Sequence, residues 1–236
     1  MVSEEASLSE PPHLFGAAEG YDLVAKHYES WDWQTFWQLN EMPLIVEMAR
    51  ATNACSVLDV GVGTGRYLKA MRDLGMTGTG IDVSSEMLKI ASQTLGTEEG
   101  LIRADVCGIP FVTSSFDLII TARTLSHVSD LPLAFAEITR VIRPGGHCII
   151  SDIDGAHQYN NTRISTPQGK VHIQTYKRTM DEVVSELQNN GLWECKQVRQ
   201  LRANTLLWIP DPPKFQSIDR TGRIPVSFLI LAKLIK

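Results

Sequence analysis

Cysteine is scarce and scattered in this chain: four residues, at positions 55, 107, 148 and 195, with no C-x-x-C pair among them. That spacing offers neither a zinc knuckle nor a disulfide framework, so the thiols are expected to be buried and reduced. Long apolar runs are missing as well. Stretches such as Phe228-Leu229-Ile230-Leu231-Ala232 fall far short of the ~20 residues that a membrane-spanning helix needs. The opening Met1-Val2-Ser3-Glu4-Glu5 has no basic region leading into an apolar one, and the expectation is a cytoplasmic chain with no membrane partner. Nor is there a basic surplus. Lys and Arg number 22 against 27 Asp and Glu, a formal charge of -5, which disfavours a nucleic acid backbone as partner and leaves only a local basic patch open.

What is present is an ordinary globular composition, 236 residues with 43% apolar and 21% charged positions, enough for one domain with a large core. The first dozen residues, rich in Ser, Glu and Pro, read as a loose tail. From Tyr21 to Thr52 apolar and aromatic residues recur at helical spacing, as with Trp33 and Trp37, or Leu44, Ile45 and Met48, which predicts one or two helices. Trp31, Trp33, Phe36 and Trp37 then form either an apolar lid or simply core. Beyond them, strands expected at 56–60, 78–82, 101–104, 117–121 and 148–151 alternate with helices from 65, from 85, over 131–142 and over 179–190. That alternation predicts an α/β fold, a parallel sheet covered by helices on both faces. The runs near 193–201 and 226–234 have no helix between them and are expected to pair antiparallel at one sheet edge.

The stretch Val57-Leu58-Asp59-Val60-Gly61-Val62-Gly63-Thr64-Gly65 is an apolar strand ending in a glycine-rich turn before a helix, which lets the main chain approach a ligand closely. It reads G-x-G-x-G, with Arg66 following, and so departs from the G-x-G-x-x-G dinucleotide fingerprint. Asp59, just before the loop, suits an ammonium group better than a pyrophosphate, so the ligand should carry a cation. Asp82 closes the next apolar run about 20 residues on, where an acid accepts ribose hydroxyls; taken alone it is equally a cap for the helix after Ser84. Asp105 ends a third run. A carboxylate there can accept an adenine amine while Val83, Met87 and Val106 sandwich the ring, although Met87 by itself is ordinary core.

Taken in order, the Val57 to Gly65 loop, Asp82 with Met87, Asp105 with Pro110-Phe111, Phe116-Asp117-Leu118-Ile119-Ile120, Leu125-Ser126-His127-Val128 and the run Ile138 to Gly146 make the chain resemble the class I S-adenosylmethionine-dependent methyltransferases of small-molecule type. The resemblance is strong over roughly 55–152. It implies a Rossmann-like seven-stranded sheet, mostly parallel with an antiparallel last strand, helices on both faces and an N-terminal helical lid. It also implies S-adenosylmethionine as cofactor, with Asp59, Gly61, Gly63, Thr64 and Gly65 at its methionine moiety, Asp82 at the ribose, Asp105 and Val106 at the adenine, and Val83, Met87 and Thr121 among the other cofactor-binding residues. Tyr21 and Tyr28, in a pattern this family often carries, would close over the cofactor. Arg143-Pro144-Gly145-Gly146 is expected to turn the chain into its next strand. The resulting division is a single domain: tail and lid over 1–52, cofactor-binding core over 53–152, substrate flap over 153–178, and a closing helix with edge strands over 179–236.

For the acceptor the sequence supplies two candidate bases, His157 and His127. His157, just beyond a strand in the flap, is expected to matter more, with His127 in a packing role. No ligand cluster stands out, so transfer to the N, O or C nucleophile of a small-molecule acceptor is expected to be metal-independent. A protein or RNA methyltransferase, a nicotinamide dehydrogenase, and a non-catalytic protein that keeps the donor pocket are the competing readings.

Overall fold

Strand periodicity builds the centre of the molecule. Along β5 (Phe116–Ala122), Leu118, Ile120 and Ala122 face one hydrophobic cluster while Ile119 faces another, the alternation that a two-residue side-chain period imposes on a sheet buried on both sides. β5 is the middle of seven strands. With β2 (Ser56–Val60), β3 (Thr77–Asp82), β4 (Leu101–Arg103), β6 (Ile142–Ile153), β9 (Trp193–Arg202) and β10 (Pro225–Leu234), it forms a sheet in the order β4-β3-β2-β5-β6-β10-β9. Strands β2 to β6 are mutually parallel, and β10 runs antiparallel to both β6 and β9. The structure, a computed structural model, describes residues 12–31, 33–157, 162–206 and 221–235.

The mostly parallel seven-stranded sheet expected from the sequence is therefore the one observed. The last two strands pair antiparallel at one edge as expected, with β10 inserted between β6 and β9, because its ten residues are buried almost throughout and need a neighbour on each side, whereas β9 alternates exposed positions and suits the edge.

Helices α3 (Met42–Ala51) and α4 (Arg66–Asp73) cover one face through Ile45, Met48, Leu68 and Met71. On the other, α6 (Leu131–Val141) and α7 (Met180–Gln188) pack through Phe135, Ile138, Val183 and Leu187. α6 starts on Asp130, whose carboxylate accepts the Leu133 N–H, and α7 on a reciprocal Thr179/Glu182 capping box. Arg143 to Gly146, expected to turn the chain into its next strand, lie instead within β6 as an irregularity: the register against β5 shifts between Ile142 and His147, Gly145 has φ +79, and Gly146 leaves no room for a Cβ beside the Asp117 and Arg143 carbonyls.

The N-terminal region gives α1 (Ala17–Tyr28), then a helical stretch from Trp33 through a π-turn (Trp37–Glu41) into α3. Trp33, Phe36 and Trp37 are core. In the expected flap region, β7 (Thr162–Thr166) and β8 (Gly169–Ile173) form a hairpin joined by β1 (Leu14–Phe15). α1 is wedged between this small sheet and α5 (Ser85–Leu95) by Val24, Ala25, Met87, Ile164 and Ile173. The thiols depart from expectation. All four are free, but only Cys148 is buried; Cys55 is exposed and Cys107 and Cys195 are half-buried.

Candidate active site

Strand order reverses between β2 and β5, and at the carboxyl ends of those strands lies a cavity of about 170 Å³, where open α/β sheets bind ligands. Its wall includes Gly61 and Gly63 from the loop after β2, Asp82 and Val83 after β3, Asp105 and Val106 after β4, and Arg123, Thr124 and His127 after β5. Tyr21 and Tyr28 of α1 close it, and Met87 of α5 lies among the apolar lining.

The glycine loop is tightly built. Gly61 and Val62 both donate their N–H groups to the Ile81 carbonyl. Gly61 has φ +71, and a Cβ there would stand 2.2 Å from the Thr124 hydroxyl, so only glycine lets the two strand ends close together. Asp82 holds this loop from the next strand: its carboxylate accepts the Gly63 and Ser84 N–H groups, each at 2.8 Å. The helix-cap reading of Asp82 does not hold, since the cap of α5 is Ser84, whose hydroxyl accepts the Met87 N–H.

Asp59 is buried beneath the loop, and its Oδ2 has no hydrogen-bond partner. Burial, and then the neighbouring Asp82, push its carboxyl up to about 7, and burial raises Asp82 as well. A buried acid in this state gains strongly from a cation, which fits an ammonium-bearing ligand. Asp59 itself, Thr64, Gly65 and Thr121 do not line the cavity. Thr64 is buried within the loop, Gly65 (φ +81) packs against Ala91 where α4 begins, and Thr121 is buried in β5 beside Val60. Asp105 caps the short turn Val106–Gly108 through the Cys107 N–H and remains at the cavity edge.

The two histidines part company. His157 is buried, its N–H bonded to the Asp154 carbonyl, and it does not line the cavity. His127 does. Its Nδ1 lies 2.7 Å from the Gln174 carbonyl, an atom that only accepts, so Nδ1 carries the proton and Nε2 accepts the Tyr21 hydroxyl at 2.8 Å. Burial pushes His127 down to about 4, and burial followed by Tyr28 holds the Tyr21 phenol well above its ordinary value. At neutral pH the pair is therefore an uncharged imidazole and a protonated phenol. The turn bearing His127 is clamped: Asp152 accepts the Ser126 N–H, and Arg178 donates to the Leu125, Val128 and Ser129 carbonyls. The expected ranking of His157 above His127 thus finds no support in placement, because His157 is buried and stands apart from the residues that line the cavity.

Several contributors were not anticipated. Asp22 of α1 accepts the Ser84 hydroxyl and the Glu86 N–H, latching the lid to α5. Below the cavity, Glu41 is wholly buried and accepts from Arg123, Tyr67 and Ser151. An arginine directly after the apolar β5 was the available signal; Glu41 follows Gln34, Gln38 and Asn40 in its helix and is not marked out by its neighbours.

The raised acids have a consequence for stability. An ordinary carboxyl titrates near ~3.9, so between there and about 7 folded Asp59 holds a proton that an unfolded chain has released. Its contribution to stability is present at the low end of that window and lost as pH rises through it. His127, pushed down, acts in the opposite sense between about 4 and its ordinary value. The difference between Asp59→Asn and the unchanged protein isolates the first effect. In ligand-free thermal melts, the variant should gain relative stability from about pH 5 to about pH 8. A difference that does not vary with pH would remove the buried-acid account.

The comparisons with known proteins agree with this geometry. Residues 58–150 match the family described as "Methyltransferase domain". The malonyl-[acyl-carrier protein] O-methyltransferase of Erwinia pyrifoliae is 35% identical over 109 residues, 46% of this chain and 41% of that protein. The demethylmenaquinone methyltransferase of Renibacterium salmoninarum is 31% identical over 109 residues, 46% of each. The chain thus spans less than half the length of these relatives. Among solved structures, a methyltransferase in complex with the Haloferax volcanii Trm112 methyltransferase activator superposes with a TM-score of 0.71 at 17% identity, covering 92% of this chain and 98% of that one. The [4+2]-cyclase SpnF gives 0.69 at 19% identity, covering 94% and 97%. Both likenesses concern the fold. Residues 58–150 thus carry the sequence pattern of a methyltransferase domain.

Proposed function

We propose that the protein transfers a methyl group from S-adenosylmethionine to a nucleophilic atom of a small-molecule acceptor, free or carried on a larger partner. The observation that carries this reading is the cavity itself. It gathers the glycine loop, the Asp82 carboxylate and the apolar Val83, Met87 and Val106 on one side, and the Tyr21–His127 pair on the other. Asp59, buried with a partnerless oxygen, would hold the donor's ammonium; Asp82 would accept its ribose hydroxyls, and Asp105 would sit at its adenine. When bound, the donor supplies an activated methyl group, so the protein's task is alignment and exclusion of water.

For an acceptor that must lose a proton, Tyr21 lines the cavity and its oxygen would take that proton as the Tyr21 proton moves to His127 Nε2. Nδ1 stays bonded to the Gln174 carbonyl throughout. The resulting imidazolium is disfavoured by burial, so after methyl transfer its proton passes to solvent as the products leave, restoring the neutral pair. The names of the relatives support acceptors of both kinds, one tethered to a carrier protein and one a free quinone precursor.

The test is a screen of acids, phenols, quinols and amines with labelled donor. Turnover on at least one class is expected, and tight donor binding without turnover on any would favour a non-catalytic role. EDTA should leave that turnover intact, because among the described residues no three His, Cys, Asp or Glu side chains cluster as metal ligands; magnesium-restored activity would contradict this. Asp82→Ala should weaken donor binding by about 1.5 to 3 kcal/mol in calorimetry, since a charge-assisted acceptor of ribose hydroxyls and the tie to Gly63 would both go. Unchanged affinity in a folded variant would contradict the assignment.

A further inference from the structure

Among the described residues lining the cavity, Arg123 is the one lysine or arginine, and the proposed reaction gives it no task. Its backbone lies at φ +58, in the left-handed region that a non-glycine residue adopts only at a cost. Strain of that kind persists where the surroundings impose it. Here they do so on one side of the guanidinium only. Nη1 donates to the buried Glu41 and, at 2.9 Å, to the Tyr67 hydroxyl. The flat group rests against Trp37, 4.7 Å from the ring centroid, and near Tyr67 at 5.3 Å.

The other edge is different. Nε is buried without a partner, and Nη2 makes no hydrogen bond among the described residues. Nε–H and Nη2–H form the parallel fork that matches the two oxygens of a carboxylate. Packing and Glu41 fix its orientation, so little freedom is lost on binding. Asp59 feels the Arg123 charge and itself lacks a partner on Oδ2. A buried acid and a buried fork that both await partners make a place where charge of each sign can be neutralised.

We propose that the Nε/Nη2 edge of Arg123 receives a carboxylate inside the cavity. The inference rests on the reading of the cavity as the methyl-transfer site. The carboxylate belongs either to the amino-acid tail of the donor, whose ammonium then meets Asp59, or to an acidic acceptor. In both cases Arg123 positions a reacting partner.

Calorimetry with three probes separates these sources. S-Adenosylhomocysteine carries the amino-acid tail. 5′-Methylthioadenosine keeps the nucleoside and thioether without it. Malonate, titrated into protein saturated with S-adenosylhomocysteine, reports an acid in the acceptor space. Arg123→Lys keeps the charge facing Glu41 but removes the fork, and the double variant Arg123→Gln/Glu41→Gln removes both buried charges together, so that a folded protein remains for measurement. The expected result is a ~10- to 100-fold loss of affinity for one carboxylate probe in both variants, with 5′-methylthioadenosine unaffected. Loss for S-adenosylhomocysteine assigns the donor tail, and loss for malonate an acidic acceptor. Unchanged affinity for both carboxylate probes overturns the proposal, as does an equal loss for 5′-methylthioadenosine, which would mark a general distortion. If the unaltered protein binds neither nucleoside probe, it is the methyl-transfer reading that fails.

Discussion

Glu41→Ala is expected to destabilise the fold by about 3 to 5 kcal/mol, the range for removing one partner of a buried ion pair. Glu41 is completely buried and accepts from the Arg123 guanidinium and from the Tyr67 and Ser151 hydroxyls. Its loss leaves a guanidinium that cannot shed its proton, because arginine stays charged even when buried, together with two hydroxyls short of an acceptor. Taking out both charges should cost less than the sum of the single changes, since the double variant leaves no lone buried charge. Urea unfolding of Glu41→Ala, Arg123→Ala and the double variant provides the cycle. Single variants as stable as the unaltered protein would show the network to be dispensable, and strict additivity would show that the two side chains do not act as a pair.

The second large effect concerns turnover. His127→Ala and Tyr21→Phe should each slow transfer by ~100-fold or more for an acceptor that must be deprotonated, the usual scale for losing a general base. They should do little for an acceptor whose nucleophile is already free. The two changes should also fail to multiply, because Tyr21 hands its proton to His127 and neither works in the relay without the other. A pH profile adds an independent check. With His127 pushed down to about 4, the acid limb should lie near that value and not near the ordinary ~6.5 of histidine. His157→Ala, in contrast, should alter the melting temperature more than the rate, since His157 is buried away from the cavity. If instead His157→Ala abolishes turnover in a stable protein while His127→Ala retains it, the relay is wrong.

The parts of this architecture that were legible in the sequence are those with local causes. The apolar run into Gly61-Val62-Gly63-Thr64-Gly65 announces strand, tight turn and helix because positive φ at three glycines is a local demand. Asp59, Asp82 and Asp105 announce strand ends for the same reason. What stayed hidden depends on distance along the chain. Glu41 and Arg123 are 82 residues apart, and Tyr21 and His127 are 106 apart. No periodicity encodes such meetings, which arise only when α1 and the π-turn fold down onto the carboxyl ends of β2 and β5. Thr121 shows the limit from the other side: it ends an apolar strand as a ligand contact would, yet the pleat turns its side chain into the sheet's packing and away from the cavity. The position of β10 between β6 and β9 is another such case, since alternation reveals that two strands pair without revealing which of them lies outside.

The most direct test of the account is a titration of the protein with S-adenosylhomocysteine by calorimetry at two pH values. Asp59 titrates near 7 in the ligand-free protein and must be ionised to receive the ammonium group. The account predicts one site per chain, bound more tightly at about pH 8 than at about pH 6, with the pH dependence lost in Asp59→Asn. Absence of binding at either pH, or binding in Asp59→Asn with the affinity and pH dependence of the unaltered protein, would contradict it.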